Sequence, residues 1–254
     1  MLTAYLKQTR RLLQLPGSQS TSLYTDADLT DFINIARGQV AGEGECIRVQ
    51  GTIQTVVNQQ PYRFQDANVG VPAQTGVQAI INIRSVHYVA GSGALWIPPR
   101  PWSWFSLYEQ NNAVPKPGPP RTWAQFGQGA APSGVANTSV NGGSFYISPP
   151  PDDVYQLNLN AVCYPIPLAA DGDVEALPYF WTDAVPFFAA YFALMSAQTN
   201  ARMADAAQMY KGHYEEFMDR ARKQSNSSTG RWQYDQAGDP AQGPKMGIKS
   251  GPSQ

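Results

Sequence analysis

Residues 175–222 read EALPYFWTDAVPFFAAYFALMSAQTNARMADAAQMYKGHYEEFMDRAR, and the rhythm of this stretch decides the fold. After Leu177-Pro178 the residues from Trp181 to Gln198 are apolar almost all round a helix, as a segment central in a core should be. Pro186 falls near the first turns, where a proline does least harm. A last helix is expected from about Ala201 to Lys223. Met203, Ala207, Tyr210, Tyr214, Phe217 and Ala221 repeat there at intervals of four and three, a heptad-like seam. Lys211, Glu215, Glu216 and Arg220 take its outer face.

The other end of the chain supplies partners for these helices. Leu2, Tyr5, Leu6, Leu12 and Leu13 fall near one face if residues 2–14 are helical, with Lys7, Arg10 and Arg11 mainly opposite. Pro16-Gly17 stops that segment. Thr25 is placed to cap the next, and Asp26 and Asp28 lie in its first turn, where negative charge is favoured. Leu29, Phe32, Ile33, Ala36 and Val40 then follow helical spacing until Gly42 and Gly44.

From Glu45 the period changes to two. Ile47, Val49, Gly51 and Ile53 alternate with Arg48, Gln50, Thr52 and Gln54, the pattern of a half-buried strand. Further strands are expected at 62–64, at Gln78–Val89, at 144–148 and from Val154 to Cys163. Pro- and Gly-rich loops cover 111–121 and 127–143, and the prolines between Trp96 and Phe105 argue against interior sheet positions. No internal repeat is found. The expected fold is therefore α+β. Residues 1–45 and 176–224 form an antiparallel helical bundle, and 46–175 form an inserted β-rich, Pro/Gly/Trp-rich domain. Residues 225–254 make an extended tail, polar and glycine-rich without sustained periodicity. In that tail only Trp232, Tyr234, Met246 and Ile248 stand out as anchors.

Composition narrows the function. The 254 residues carry a formal charge of -1, so long-range attraction to nucleic acid is not a property of the whole chain. Only 15% are charged, against about a quarter in ordinary domains, which fits a surface that ends up against other subunits. Cys46 and Cys163 form no metal or redox motif and read as buried thiols of a reducing compartment. Residues 1–15 lack the plan of a secretory signal, and Val185–Met195 is too short to span a bilayer.

Catalytic chemistry needs positioned acids, bases, nucleophiles or a metal. Two histidines, His87 and His213, stand far apart, so no metal site or other cofactor site is expected. Asp152-Asp153 and Asp171/Asp173 lie in Pro- and Gly-flanked turns that favour aspartate for local hydrogen bonding. GSGALW at 91–96 is not followed by the helix a phosphate loop requires, and no G-x-S-x-G elbow occurs. No enzyme is expected, and a peptidoglycan-cleaving activity is the least favoured reading. Trp96, Arg100, Trp102, Trp104, Phe105 and Tyr108 form an aromatic cluster. It reads as a loop core, as a subunit or tail interface, or as a stacking platform for sugars or single-stranded nucleic acid. Lys7, Arg10 and Arg11 read as a solvated helix face or a DNA-facing patch.

Four pieces in order carry a resemblance: TDADLTDFINIA (25–36), PPPDDVYQL (149–157), LPYFWTDA (177–184) and AQMYKGHY (207–214). Together they resemble the phage head–tail adaptor family, the portal-binding head-completion proteins of podoviruses and siphoviruses. The resemblance implies a non-enzymatic structural protein of the virion. It implies a homo-oligomeric ring, usually of about twelve copies, docked under the portal protein with tail nozzle or tail tube proteins on its opposite face. It also implies that phage DNA passes through without sequence-specific binding, and that 225–254 grips the portal through Trp232, Tyr234, Met246 and Ile248. No membrane is involved; the protein would be made as a monomer in the host cytoplasm and end at the head–tail interface. The alternative from another class is a carbohydrate- or receptor-binding tail module using the aromatic cluster.

Overall fold

The computed structural model describes residues 1–14, 24–90, 93–108, 116–127, 143–196 and 201–228. Two helices come first, α1 (Leu2–Leu12) and α2 (Asp26–Gly44), then strands β1 (Arg48–Gln54) and β2 (Pro61–Arg63). A one-turn helix α3 (Pro72–Thr75) precedes β3 (Val77–Ala90) and β4 (Gly93–Ile97). Next come α4 (Trp102–Tyr108), β5 (Thr122–Phe126), β6 (Ser144–Ser148) and β7 (Gln156–Pro165). The chain returns to helix in α5 (Tyr179–Thr182), α6 (Ala184–Ser196) and α7 (Ala201–Ser228). Mixed helix and sheet is what the two periods required.

The start of α2 shows why sequence sets this element so firmly. Thr25 Oγ1 accepts from the Asp28 amide at 3.2 Å, and the Asp28 carboxylate accepts from the Thr25 amide at 2.8 Å. This reciprocal capping box satisfies amides that the first turn would otherwise leave without acceptors. One face of α2 then buries Leu29, Ile33, Ala36, Val40 and Ala41 completely.

The strands form two antiparallel sheets, ordered β1-β7-β3-β4 and β2-β6-β5. Strand β7 runs between β1 and β3, and its alternation is carried into burial. Leu157, Leu159, Ala161 and Cys163 are buried, while Gln156 is exposed and Asn158 and Asn160 are half-buried; the alternation ends at Val162, which is buried too. One hydrophobic cluster joins all parts. Leu2, Ile33, Val40, Ala189 and Met218 from the helices share it with Ile53, Ile83, Val86 and Leu159 of the first sheet and Phe145 and Ile147 of the second.

The seam of α7 lies on α6. Ala207, Tyr214 and Ala221 are buried, and Met203, Tyr210 and Phe217 half-buried. Phe187 of α6 stacks on Phe217 with centroids 5.1 Å apart, and Phe188 meets Tyr214 at 4.9 Å. Helix α7 continues to Ser228, past Lys223 where the pattern suggested an end and past the start assigned to the tail at 225.

One expectation is corrected, and two stretches hold elements that the sequence pattern did not reveal. The single helix over 181–198 is two: α5 stops at Thr182 and α6 begins at Ala184. Pro186 has no N–H to offer the Thr182 carbonyl, so the turn across Asp183 lacks its hydrogen bond and the axis breaks there. Strand β5, between two Pro/Gly-rich loops, was not expected. The Trp- and Pro-rich stretch also holds more structure than a loop. Pro98-Pro99 ends the edge strand β4, and α4 starts after Pro101, whose carbonyl accepts from the Trp104 and Phe105 amides.

Candidate functional site

The connection from β7 to α5 is fastened to α2 by a buried ion pair. Arg37 is fully buried; its Nη2 donates to Glu175 Oε1 at 2.8 Å and its Nη1 to the Ile166 carbonyl at 2.7 Å. One turn earlier, Asn34 Nδ2 donates to the Leu168 carbonyl and its Oδ1 accepts from the Leu168 amide. Tyr5 of α1 lies beside the pair; burial, reinforced by Glu175, raises its hydroxyl pKa above the ordinary tyrosine value. The Arg37 and Asn34 donors are aimed at backbone carbonyls, at Glu175 or at each other, so the ion pair positions a loop; the buried Tyr5 hydroxyl beside it has no hydrogen-bond partner among the described residues.

The acidic turns behave likewise. Asp173 accepts from the Ala169 and Ala170 amides, and Asp171 from the Thr3 amide and the Met1 ammonium. These bonds hold both carboxyls below the usual aspartate range. Asp152 accepts from the Tyr155 hydroxyl at 2.6 Å and Asp153 from the Val154 amide at 2.7 Å. The pairs are turn-formers, not an acid–base couple. Among the described residues no three His, Cys, Asp or Glu side chains gather as metal ligands, and no helix is long and apolar enough to cross a membrane.

The aromatic cluster divides in two. Trp102 and Phe105 of α4 stack 5.9 Å apart, and the Trp102 ring also meets Phe126 and Tyr146, each at 4.6 Å. Phe105 is buried and Trp102 half-buried, so α4 is pinned to the second sheet by this small core. Arg100 lies 5.4 Å over the Trp104 ring, and Tyr108 closes the helix. Trp96 is elsewhere. It lies on edge strand β4 opposite His87, and the row continues through Asn158 to Thr52. That row crosses all four strands without an Asp, Glu, Lys or Arg.

A cleft of about 400 Å³ opens between Pro99, Arg100, Trp102, Trp123 and Gln125. Two of its polar groups are committed: Trp123 Nε1 donates to the Ile97 carbonyl, and Gln125 accepts from the Ile83 amide while donating to the Gly127 carbonyl; Asn82 and Arg100 line it as well. Packing accounts for Trp102, Trp104 and Phe105 without a ligand.

Two residues that the sequence reading passed over are the most exposed aromatic side chains among those described. Tyr179 is 77% and Phe180 59% exposed at the start of α5, while Trp181 is buried against Gly44 of α2. The signal was available: three consecutive aromatics at 100° per residue cannot all face one core. The anchors proposed for the tail, Trp232, Tyr234, Met246 and Ile248, lie outside the described residues.

These features make a protein whose ordered side chains hold shape and leave apolar surface uncovered. No curated protein matches the chain. The family model described as SU10 adaptor protein matches residues 4–237, nearly the whole sequence, including both helical ends and the sheets between. The chain belongs to the SU10 adaptor protein family, a family of phage head–tail adaptors, and has a structural role at the head–tail junction of a virion.

Proposed function

We propose that copies of this chain form a ring between the portal and the tail, closing the vertex and continuing the DNA channel. In this reading residues 1–45 and 176–224 act as one antiparallel helical bundle that packs side by side with its neighbours. The inserted β-rich part, 46–175, reaches toward neighbouring rings, with Trp96, Arg100, Trp102, Trp104, Phe105 and Tyr108 at or behind a subunit or tail interface. The ring holds about twelve copies, the number the resemblance to head–tail adaptors implies. Assembly proceeds in the host cytoplasm.

The observation that carries this reading is the way α7 leaves the core. Ala221 is its last buried residue among those described; Arg222, Lys223 and Gln224 beyond it are exposed, while the helix continues to Ser228. A segment launched in that way can wrap a partner surface, at the entropic cost of ordering on contact. Trp232, Tyr234, Met246 and Ile248 are its anchors on the portal. With a formal charge of -1 per copy, DNA meets no strong positive trap on its way through.

Electron microscopy of purified portal rings mixed with the full chain tests this. A continuous ring of added density below the portal is expected, and its loss on deletion of 225–254. Portal rings left bare by the full chain, or decorated at full strength by the truncated one, overturn the corresponding part of the proposal.

A further inference from the structure

The two sheets have four edge strands; among the described residues three of these edges are interrupted and one is open. On β1, Thr52 exchanges both of its outer backbone bonds with Asn68, at 2.9 and 2.8 Å. Strand β5 takes the Pro98–Arg100 segment along its outer side: the Trp123 amide donates to the Pro98 carbonyl and the Arg100 amide to the Trp123 carbonyl. Strand β2 is three residues long and begins with Pro61, which has no N–H. Strand β4 remains. Residues Gly93 to Trp96 are exposed without a break, Leu95 at 58% and Trp96 at 45%.

The ladder fixes what that edge offers. On the side away from β3 the Pro98 carbonyl accepts from Trp123, and alternation along the strand points the backbone of Trp96 and Ala94 the same way. Neither has a hydrogen-bond partner there among the described residues. The side chains do not guard the edge either. Native edges are blunted by lysine, proline or a bulge, yet no Asp, Glu, Lys or Arg occurs from Ser85 to Pro99, and β3 and β4 pair at five positions without a register shift. A row of free N–H and C=O groups takes one kind of occupant, an extended strand.

We infer that unassembled copies of this chain pair through β4, antiparallel, about a twofold axis at Leu95. The second copy's own β4 is the occupant because, by the same accounting, it is the strand edge that copy has open. Ala94 of one copy lies opposite Trp96 of the other, so the outward amides and carbonyls meet in two reciprocal pairs. Leu95 meets Leu95 between them, where side chains of an antiparallel pair come closest. On the other face Trp96 covers the Ala94 methyl of the second copy, and with no charge on either edge nothing repels. Such a contact is isologous and stops at two copies, unlike a ring contact. Four residues a side make it a small, weak interface, so pairs come apart as copies are used. Until then the edge is kept from other unpaired strands.

Sedimentation velocity on the purified full chain, over a range of concentrations and without portal, tests this. A reversible monomer–dimer equilibrium is expected. Leu95→Lys and Leu95→Glu each set like charges opposite one another and should weaken the dimer at least about tenfold. An equimolar mixture of the two should regain it as the mixed pair, because lysine then meets glutamate. Ala94→Pro removes an outward amide that β3 does not use, and should also weaken pairing. Melting curves establish that each variant is folded; Leu95 is exposed, so these changes leave the core alone. A wild-type chain that stays monomeric overturns the inference, as does assembly that runs past two copies. So do dimers that survive Leu95→Lys unchanged, or a lysine–glutamate mixture that remains monomeric. The ring reading is untouched by any of these results, since portal rings test it separately.

Discussion

Replacing Glu175 with glutamine removes one negative charge from the interior and almost nothing of the shape. Arg37 and Glu175 side chains are 1% and 10% exposed, so water cannot replace the lost counter-charge. In Glu175→Gln the guanidinium keeps the Ile166 carbonyl and the Asn34 amide oxygen, but its charge is left uncompensated. Breaking a buried pair in this way costs about 3–5 kcal/mol, out of a total stability of about 5–15 kcal/mol for a domain. For a chain of this size each kcal/mol corresponds to about 2–4 °C, so Tm should fall by roughly 6–20 °C. Arg37→Met/Glu175→Leu leaves no unpaired charge and should lose less than Glu175→Gln does. Thermal and urea melts followed by far-UV circular dichroism measure both, with unchanged native spectra confirming the fold. A Glu175→Gln protein within about 1 kcal/mol of wild type would refute the idea that this pair fastens the loop to α2.

Two further outcomes follow from local geometry. Thr25→Ala should cost about 1 kcal/mol by opening the α2 cap. The Thr25 bonds hold the Asp28 carboxyl below its usual value, so the cap contributes above about pH 4 and fades as pH falls through the lowered value. The gap between wild-type and Thr25→Ala melts should therefore narrow in acid, and a constant gap from neutral pH to pH 2 counts against it. Burial pushes the Cys163 thiol up to about 12, so native Cys46→Ser protein should resist a thiol-specific dye at pH 8.5 and react once unfolded in urea. Because the folded value is raised, this thiol subtracts stability only as pH climbs above about 8.5 toward 12. Equal labelling rates in native and unfolded protein would contradict it.

What was legible in the sequence had a period long enough to count. Helix α2 has both a capping box and four turns of apolar spacing, and the seam of α7 runs for more than five turns by the same spacing. β1 and β7 alternate over seven or more residues, so their faces could be assigned before any coordinates, whereas the register shifts in β3 bury Val77, Ile80, Ile83 and Val86 at intervals of three. α4 and β5 could not: seven and five residues give no period, and prolines nearby look the same in a loop. Pairing is also invisible to local pattern. Nothing near Trp96 indicates that its strand lies beside His87, away from Trp102, so adjacent aromatics were read as one group. Arg37 could not be singled out from sequence, because its partner is 138 residues away. Tyr179 and Phe180 were hidden by a motif whose conspicuous residues, Leu177 and Trp181, are the buried ones.

The helical layer is closed by segments made far apart in translation. Tyr24 donates to the Ala193 carbonyl across 169 residues, and α1 and α2 rest on α6, which follows every strand. At about 5–20 residues per second, the apolar side of α2 waits roughly 8–35 s on the ribosome for its cover. Until then Leu29, Ile33 and Val40 are open to any passing chain. A message broken before Ala184 thus releases a product whose first helices never find their seats. Such fragments should accumulate in inclusion bodies or with chaperones, and the infected cell gains a filter that admits only finished copies to the vertex.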